Sequence, residues 1–317
     1  MQPFTLNLSS DLDITGLSSI PPSPPSPSPP RPLLILLHGG GYSASYFSAS
    51  ASTSIEPLST ALSIPVLSLN RQGYQASTPV PPLSPGQTSL HTQARNFNDI
   101  ILPALWEEYG EVSGATSIVL AGHSVGGFIA VMVAGMYSSS SSSSGKKYPL
   151  SGLCLTGVAD KVNPVFETVE PPQPPLDPSG KFVLWPDELR DSWLLMIPSG
   201  LADPDFPARH AELNNPAPIQ EVSESMARDP EWKSYMKDVE VPVLALVGEF
   251  DGLWDTREEV IRKFGERFGK ADVETGVVRQ GPHCLELSFQ WRGAYLKVLG
   301  HAVQCAVGYE IQKEEKE

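Results

Sequence analysis

A serine stands at the centre of the pentapeptide Gly122-His123-Ser124-Val125-Gly126. The apolar run SIVLA precedes it, and a second apolar run, VGGFIAVMVAG, begins directly after the serine. Glycines two positions before and two positions after a serine permit a tight turn between a strand and a helix, with the serine hydroxyl exposed at its tip. A serine held in this way can attack an acyl carbonyl. We therefore predict that Ser124 is a catalytic nucleophile.

A second glycine-rich segment, His38-Gly39-Gly40-Gly41, follows the apolar run LLILL. Glycines at such a place let backbone N–H groups approach a developing oxyanion, and HGGG is the form that this loop takes in lipases and esterases. The predicted oxyanion donors are the backbone N–H groups of Gly40, Gly41 and Val125. His38 is expected to orient the loop rather than to carry protons.

A serine nucleophile needs a histidine base, and three of the six histidines lie well downstream of it: His210, His283 and His301. His283, in GPHCLE, lies between the last predicted strand and the last predicted helix. A side chain on that connection can reach the carboxyl edge of the sheet, where a catalytic base is needed. His210 lies in an irregular stretch and His301 lies late in the terminal helix. His283 is the predicted base.

The base needs a carboxylate to hold its tautomer and to stabilise its charged form. Asp251 directly follows the apolar run VLALVGEF and is the predicted acid. Asp160, just after the strand LCLTG, remains an alternative because an acid there can also reach the base. Asp255 is expected to be the N-cap of the next helix, and Glu249 is expected to point elsewhere.

Strands and helices alternate along most of the chain, a pattern typical of a mostly parallel sheet with helices on both faces. Pro103 is expected to kink or split the helix that contains it. The predicted strands span 4–8, 12–17, 33–37, 66–69, 117–120, 153–156, 243–247 and 273–278, the first two as short edge strands, and the predicted helices span 54–62, 90–105, 125–137, 256–268 and 285–303.

Residues 161–239 break this alternation with many prolines and scattered aromatic residues. We predict that they form a small, mainly helical cap, inserted into a core made of 1–160 and 240–317. Two low-complexity segments, 18–31 and 138–147, are expected to be surface loops without a role in catalysis. An apolar pocket beneath the cap is predicted, lined by Tyr42, Trp185, Trp193 and Met196. The alternative for the three cap residues is that they form the small core of the cap itself.

The composition excludes several classes of function. The 317 residues carry a formal net charge of −14, which argues against nucleic acid or an anionic membrane as the main partner. The three cysteines have no metal-ligand spacing, so we expect free thiols, a cytoplasmic protein, and no metal or cofactor. No secretory signal is visible. The apolar stretch 118–137 is interpreted as strand, turn and helix rather than a membrane span.

Together, LLILLHGGG, VLSLNRQGY, GHSVGG, LALVGEFDGLW and GPHCLE resemble the α/β-hydrolase superfamily. They are most similar to its esterases, thioesterases, lactonases and C–C hydrolases, which carry a cap between core strands six and seven. The resemblance implies that Ser124 is the nucleophile, His283 the base and Asp251 the acid, with the glycines after His38 as the oxyanion loop. The serine nucleophile argues against epoxide hydrolase or dehalogenase chemistry, because those relatives use an aspartate nucleophile.

The predicted activity is hydrolysis of an ester, lactone or thioester of a hydrophobic small molecule. Two alternatives remain open: a lyase, acyltransferase or cyclase that uses the same pocket, and a ligand-binding protein on a hydrolase fold. The proline and serine tracts are typical of eukaryotic chains, which would suit a tailoring role in secondary metabolism, although fold-level association alone supports that idea. The sequence gives no indication of the oligomeric state.

Overall fold

A computed structural model of the chain describes residues 1–9, 11–23, 29–139, 146–169, 175–197, 199–227 and 230–315. The predicted loops 18–31 and 138–147 therefore lie partly outside the described residues. At the start of each segment the expectation of a loop was wrong, because Ser18 and Ser19 continue a strand and Ser138 and Ser139 end a helix. Within the described ranges, no helix combines the length and the apolar character needed to cross a membrane.

Eight strands form one sheet in the order β1-β2-β6-β3-β7-β8-β11-β12. All neighbours from β6 to β12 are parallel, whereas β2 pairs antiparallel with both β1 and β6. The strands are β1 Gln2–Ser9, β2 Leu12–Ser19, β3 Pro32–Leu37, β4 Ser48–Ser50, β5 Thr53–Ser54, β6 Val66–Leu69, β7 Ser117–His123, β8 Leu150–Thr156, β9 Phe182–Val183, β10 Ala217–Pro218, β11 Val243–Phe250 and β12 Val273–Pro282. The mostly parallel sheet predicted from the alternating pattern is confirmed.

The α-helices are α1 Glu56–Ala61, α2 Ser89–Asn96, α3 Leu102–Ser113, α4 Val125–Ser139, α5 Asp187–Leu194, α6 Phe206–Glu212, α7 Ile219–Ser225, α8 Glu258–Gly265 and α9 Trp291–Glu314. The disruption expected at Pro103 is a change of helix type and not a break, because helical backbone continues from α2 through a π-helical segment, Phe97–Ile101, into α3. Pro103 lies in the first turn of α3, and because it has no N–H, one helical hydrogen bond is missing there.

The sheet is buried on both faces, as the continuous apolar strands predict. Along β3, Leu33 and Ile35 pack on one side together with residues of α2, α3 and α4. The alternate residues Leu34 and Leu36 pack on the other side with residues of α9. Two hydrophobic layers therefore hold the carboxyl ends of the parallel strands in fixed positions.

The last part of the predicted insertion packs with the core. Residues Glu231–Asp238 form a 3₁₀ helix against α4, and the Trp232 ring stacks on the Phe128 ring with centroids 4.7 Å apart. Trp232 is 1% exposed. This stretch is thus anchored to the main core. The rest of the described insertion holds the shorter helices α5, α6 and α7, the antiparallel pair β9–β10 and a 3₁₀ turn, Pro164–Glu167.

Three local expectations were wrong. Strand β2 is not an edge strand, because β1 and β6 flank it. Asp255 does not cap α8: that helix begins at Glu258 after Arg257, and the Asp255 carboxylate binds the Arg257 guanidinium at 2.6 Å. The terminal α-helix begins later than expected, since residues Leu285–Leu287 form a separate 3₁₀ turn.

Candidate active site

Ser124 occupies the turn between β7, which ends at His123, and α4, which begins at Val125. Its φ angle is 51°, in the left-handed region that a non-glycine residue adopts only under constraint. The constraint is visible in the hydrogen bonds: the Ser124 N–H donates to the Thr156 carbonyl of β8 at 2.9 Å. The side chain is partly exposed at the N-terminus of α4. Ser124 is therefore held in the strained, accessible position that a nucleophile needs.

The flanking glycines are required by close packing. A Cβ on Gly126 would overlap the carbonyl oxygens of Leu37 and His38, at the end of β3. A Cβ on Gly122 would overlap the backbone of Gly126 itself. The turn can therefore approach the neighbouring strand this closely only without side chains at these two positions.

His283 and Asp251 form a buried pair beside this turn. The Nδ1 atom of His283 lies 2.8 Å from Oδ2 of Asp251, and neither residue is more than 2% exposed. The other carboxylate oxygen accepts the backbone N–H groups of Leu253 at 2.8 Å and Trp254 at 3.2 Å. With Nδ1 bonded to the carboxylate, Nε2 is the ring nitrogen left to act as a base.

The base lies next to the nucleophile turn. The His283 and His123 rings have centroids 5.0 Å apart, and His123 directly precedes Ser124. A Cβ on Gly157, which has a φ of +61°, would lie 2.9 Å from His283 Cε1 and 3.0 Å from His123 Cε1. The absence of a side chain at Gly157 thus gives both rings their space. The structure brings Ser124, His283 and Asp251 to one edge of the sheet.

The rival acids have other partners. The Asp160 carboxylate binds Arg267 at 2.6 Å and Lys233 at 3.1 Å. Although its partial burial acts to raise the pKa, the two cations hold the pKa of Asp160 below its ordinary value. Glu249 binds the Arg279 guanidinium at 2.9 Å. Neither carboxylate contacts His283 in this arrangement, whereas Asp251 does.

The glycines after His38 lie against the nucleophile turn. A Cβ on Gly39 would be 3.2 Å from the Ser124 Cβ, and one on Gly40 would be 3.4 Å from the Val125 Cγ2. Gly40, Ser124 and Val125 are partly exposed, whereas Gly39 and Gly41 are buried. The residues predicted to supply the nucleophile and two oxyanion donors are therefore those that solvent can reach at this edge of the sheet.

The prediction that Gly41 supplies a third donor needs correction. The Gly41 N–H donates to the Tyr74 hydroxyl at 3.2 Å, so it is already engaged within the protein. The Gly41 carbonyl accepts the Asn215 N–H at 2.9 Å, and its φ of +73° favours glycine. Gly41 thus anchors the loop to Tyr74 and Asn215. The oxyanion donors that fit the structure are the N–H groups of Gly40 and Val125.

A buried ion pair that the sequence did not reveal lies behind this loop. Arg71, which follows β6, donates to the carbonyls of His38 at 2.8 Å and Gly39 at 3.2 Å. Its guanidinium also binds both carboxylate oxygens of Glu221 in α7. Burial acts to raise the pKa of Glu221, but Arg71 outweighs this effect and holds that pKa below its ordinary value. An ionised Glu221 is therefore paired with Arg71 in the interior.

A second buried network supports His123. Glu286 accepts hydrogen bonds from the hydroxyls of Thr156 and, at 2.7 Å, Tyr46. His123 Nδ1 lies 3.1 Å from the Thr156 hydroxyl, and the His123 ring stacks on the Tyr46 ring with centroids 4.7 Å apart. Burial raises the pKa of Glu286 and lowers that of His123. These groups lie beneath the nucleophile turn and fix its position.

Tyr42 belongs to a third network rather than to a pocket wall. It is 2% exposed, and its hydroxyl lies 2.7 Å from His210 Nε2 and 3.3 Å from Cys284 Sγ. His210 Nδ1 lies 2.6 Å from Asp191 Oδ1, and the Arg190 guanidinium lies 4.7 Å from the centre of the Tyr42 ring. The prediction that Tyr42 lines the substrate pocket does not fit this burial. Tyr42 instead connects the oxyanion loop to α5 and α6.

The other three predicted pocket residues all lie partly buried in the insertion. Trp185 lies against the oxyanion loop, with its Cδ1 atom 3.7 Å from the position of a Cβ on Gly41. The Trp193 ring packs on Phe166 with centroids 5.1 Å apart, next to the acid loop. Met196 has a φ of 55° at the end of α5. Trp185 and Trp193 thus lie on two sides of the site.

The buried histidines predict a loss of stability in mild acid. Burial lowers the pKa of His38, His123 and His210 below 6.5 in the folded state. Below pH 6.5 the unfolded chain therefore binds more protons than the folded one, and each histidine lowers the free energy of unfolding by up to about 1.4 kcal/mol per pH unit. Glu286 has a raised pKa and takes up its proton more readily in the folded state, so it offsets only part of this loss of stability in acid. The urea concentration at the unfolding midpoint should decrease as the pH is lowered from 7.5 to 5.5. A midpoint that stays constant over this range would contradict the prediction.

Comparison with known proteins agrees with this architecture. The model of the alpha/beta hydrolase family matches residues 34–292. A thermophilic esterase from Thermogutta terrifontis is 16% identical with a TM-score of 0.63, and the match covers 96% of this chain and 100% of that chain. A soluble variant of monoglyceride lipase from Saccharomyces cerevisiae is 16% identical with a TM-score of 0.62, over 96% of this chain and 94% of that chain.

The proline iminopeptidase of Mycobacterium smegmatis is 15% identical with a TM-score of 0.60, over 97% of this chain and 99% of that chain. No curated protein matches the chain. At these identities the solved structures show a shared fold and not a shared substrate. Because the family match extends over most of the sequence, from β3 into α9, the chain belongs to the alpha/beta hydrolase family.

Proposed function

We propose that this protein is a serine hydrolase that cleaves an ester, lactone or thioester of a hydrophobic small molecule. One observation carries the proposal: a strained, partly exposed serine lies at the same sheet edge as a buried histidine–aspartate pair. Strain of this kind is retained where the surrounding structure enforces it, and such positions cluster at active sites. The family to which the chain belongs makes hydrolysis the first reaction to test.

The mechanism follows from these positions. His283 takes the proton of Ser124 through Nε2 as the serine oxygen attacks the acyl carbonyl, and Asp251 stabilises the charged imidazole through Nδ1. The N–H groups of Gly40 and Val125 stabilise the oxyanion of the tetrahedral intermediate. The leaving group departs with the proton from His283. Water, deprotonated by the same histidine, then releases the acyl group from Ser124.

Apolar surface beside the site supports a hydrophobic substrate. Val162 and Val165 are 58% and 47% exposed, although both are aliphatic. Their segment lies beside the acid loop, because Val162 pairs with Trp254 and the Asn163 side chain donates to the Asp251 carbonyl. Apolar side chains close to a few polar groups are typical of small-molecule sites, so these two valines, which we call the apolar rim, are consistent with a hydrophobic substrate.

Covalent labelling with a fluorophosphonate tests the proposal. The phosphorus reacts with an activated serine hydroxyl and releases fluoride, so we expect one adduct per chain, located at Ser124 by peptide mass mapping. Ser124→Ala is the control and should show no adduct. A wild-type protein without an adduct at Ser124 would contradict the proposed function and would favour a ligand-binding role.

A panel of substrates then tests which acyl group is preferred and whether water is the acyl acceptor. p-Nitrophenyl esters of increasing chain length should show a rise in kcat/KM toward longer acyl chains, because the rim is apolar. Thioesters and lactones, added to the panel, test the two other substrate classes of this proposal. Added alcohols or amines distinguish hydrolysis from acyl transfer, since a transferase would form the alkyl ester or amide in place of the free acid.

A further inference from the structure

We propose that Glu221, a residue of the insertion, is a positioning residue for the oxyanion loop and acts on it through Tyr74 and Arg71. The proposal rests on the proposed function, because it concerns the geometry of the same hydrolytic site. It assigns to the insertion a role in the rate of the chemical step, in addition to any role in substrate choice.

The first contact is a chain of hydrogen bonds through Tyr74. The Tyr74 hydroxyl donates to Glu221 Oε1 at 2.6 Å and accepts the Gly41 N–H at 3.2 Å. Its proton is thus directed toward the carboxylate, which leaves a lone pair for Gly41. Tyr74 is 1% exposed and Glu221 is 0% exposed, so water does not compete for either bond. The carboxylate therefore fixes the orientation of the hydroxyl that holds the end of the loop.

The second contact runs through Arg71. Its guanidinium binds both oxygens of Glu221 and also donates to the carbonyls of His38 and Gly39. Gln93 completes the set by donating to Glu221 Oε2 at 3.1 Å. Arg71 thus holds the two carbonyls before Gly40, and Tyr74 holds the N–H of the residue after it. Both side chains bind the same carboxylate, that of Glu221.

Gly40 itself lies close to this carboxylate. A Cβ on Gly40 would be 3.8 Å from Glu221 Oε1 and 3.4 Å from Val125 Cγ2. The Gly40 peptide is therefore confined between the insertion and the nucleophile turn. Because Gly40 carries a proposed oxyanion donor, a small change in the loop would move this N–H relative to the developing charge. A misplacement of about 1 Å in a catalytic group can lower the rate by about 10²-fold.

The insertion also contacts the loop directly through the backbone, since the Asn215 N–H donates to the Gly41 carbonyl. An unpaired charge is expensive in a protein interior, so Arg71 and Glu221 favour the arrangement in which α7 is packed against the loop. Docking of the insertion and formation of the oxyanion site are therefore coupled by the same buried pair.

Tyr74→Phe is the test, because it removes the hydroxyl and retains both the ring and the Arg71–Glu221 pair. With the best p-nitrophenyl ester, we expect kcat to fall about 10- to 100-fold while KM changes less than about twofold. Affinity for a trifluoromethyl ketone, whose adduct carries an oxyanion, should fall by the same factor as kcat. Glu221→Gln should lower kcat as well, and the double variant should lose less than the product of the two single losses, because both act on one loop.

Tyr148→Phe is the matched control. Its hydroxyl also makes a hydrogen bond in a buried position, to Asn98 at 2.9 Å, but at the amino end of β8 and away from the site. Its kcat should equal that of the wild type. A Tyr74→Phe or Glu221→Gln variant with wild-type kcat and inhibitor affinity would overturn the inference. Failure of the proposed function would look different, since the wild type itself would then show neither ester turnover nor a Ser124 adduct.

Discussion

Replacing Ser124 by alanine is expected to lower kcat for ester hydrolysis by about 10⁶-fold and to leave the fold intact. The reaction would lose its acyl-enzyme route entirely, and only the residual effect of binding and of the oxyanion donors would remain. Alanine can occupy the same turn, because it keeps the Cβ of Ser124 and removes only the hydroxyl. The measurement is steady-state hydrolysis of p-nitrophenyl esters at high enzyme concentration.

A second serine provides the control for this loss. Ser151 lies buried in β8, where its hydroxyl bonds with Ser117 and the Ile118 carbonyl at the end of the strand remote from the turn. Ser151→Ala should retain wild-type kcat, even if it is somewhat less stable. Both variants should keep the wild-type far-UV circular dichroism. Retention of more than about 1% of the activity by Ser124→Ala would exclude Ser124 as the nucleophile.

The parts of the fold that could be predicted are those with a local signal. The strand before Ser124 and the helix after it are each a continuous apolar segment, and the glycines between them mark the turn. The predicted and observed bounds of strand Val66–Leu69 agree to the residue, because Pro65 precedes this mostly apolar segment and Asn70 follows it. Such features depend on neighbours in the sequence, so one sequence is enough to locate them.

The contacts that could not be predicted join residues far apart in the chain. Arg71 and Glu221 are 150 residues apart, and nothing in the local sequence of either residue indicates a buried charge. The residue type of Gly41 fits an oxyanion donor, but whether its N–H is free depends on Tyr74. The position of Tyr42 after the glycines predicts a pocket residue, whereas His210 determines where its hydroxyl lies. In each case a contact with a residue distant in the sequence decides the role.

The choice between Asp251 and Asp160 leads to the second large effect: Asp251→Asn should lower kcat by about 10⁴-fold. The amide can still accept the N–H groups of Leu253 and Trp254, so the acid loop should keep its shape. Its NH₂ group, however, would donate to His283 Nδ1 and favour the tautomer with the proton on Nε2. That tautomer cannot accept the proton of Ser124, so the base would be lost while the geometry remained.

Asp160→Asn is the matched control, because it makes the same chemical change in the alternative acid. It would weaken the partly buried pairs with Arg267 and Lys233, which do not involve the base. Its kcat should stay within about twofold of the wild type, with a small decrease in the urea midpoint. The reverse result, a large loss in Asp160→Asn and a small one in Asp251→Asn, would mean that His283 turns to Asp160 during the reaction. The two variants together therefore decide which carboxylate supports the base.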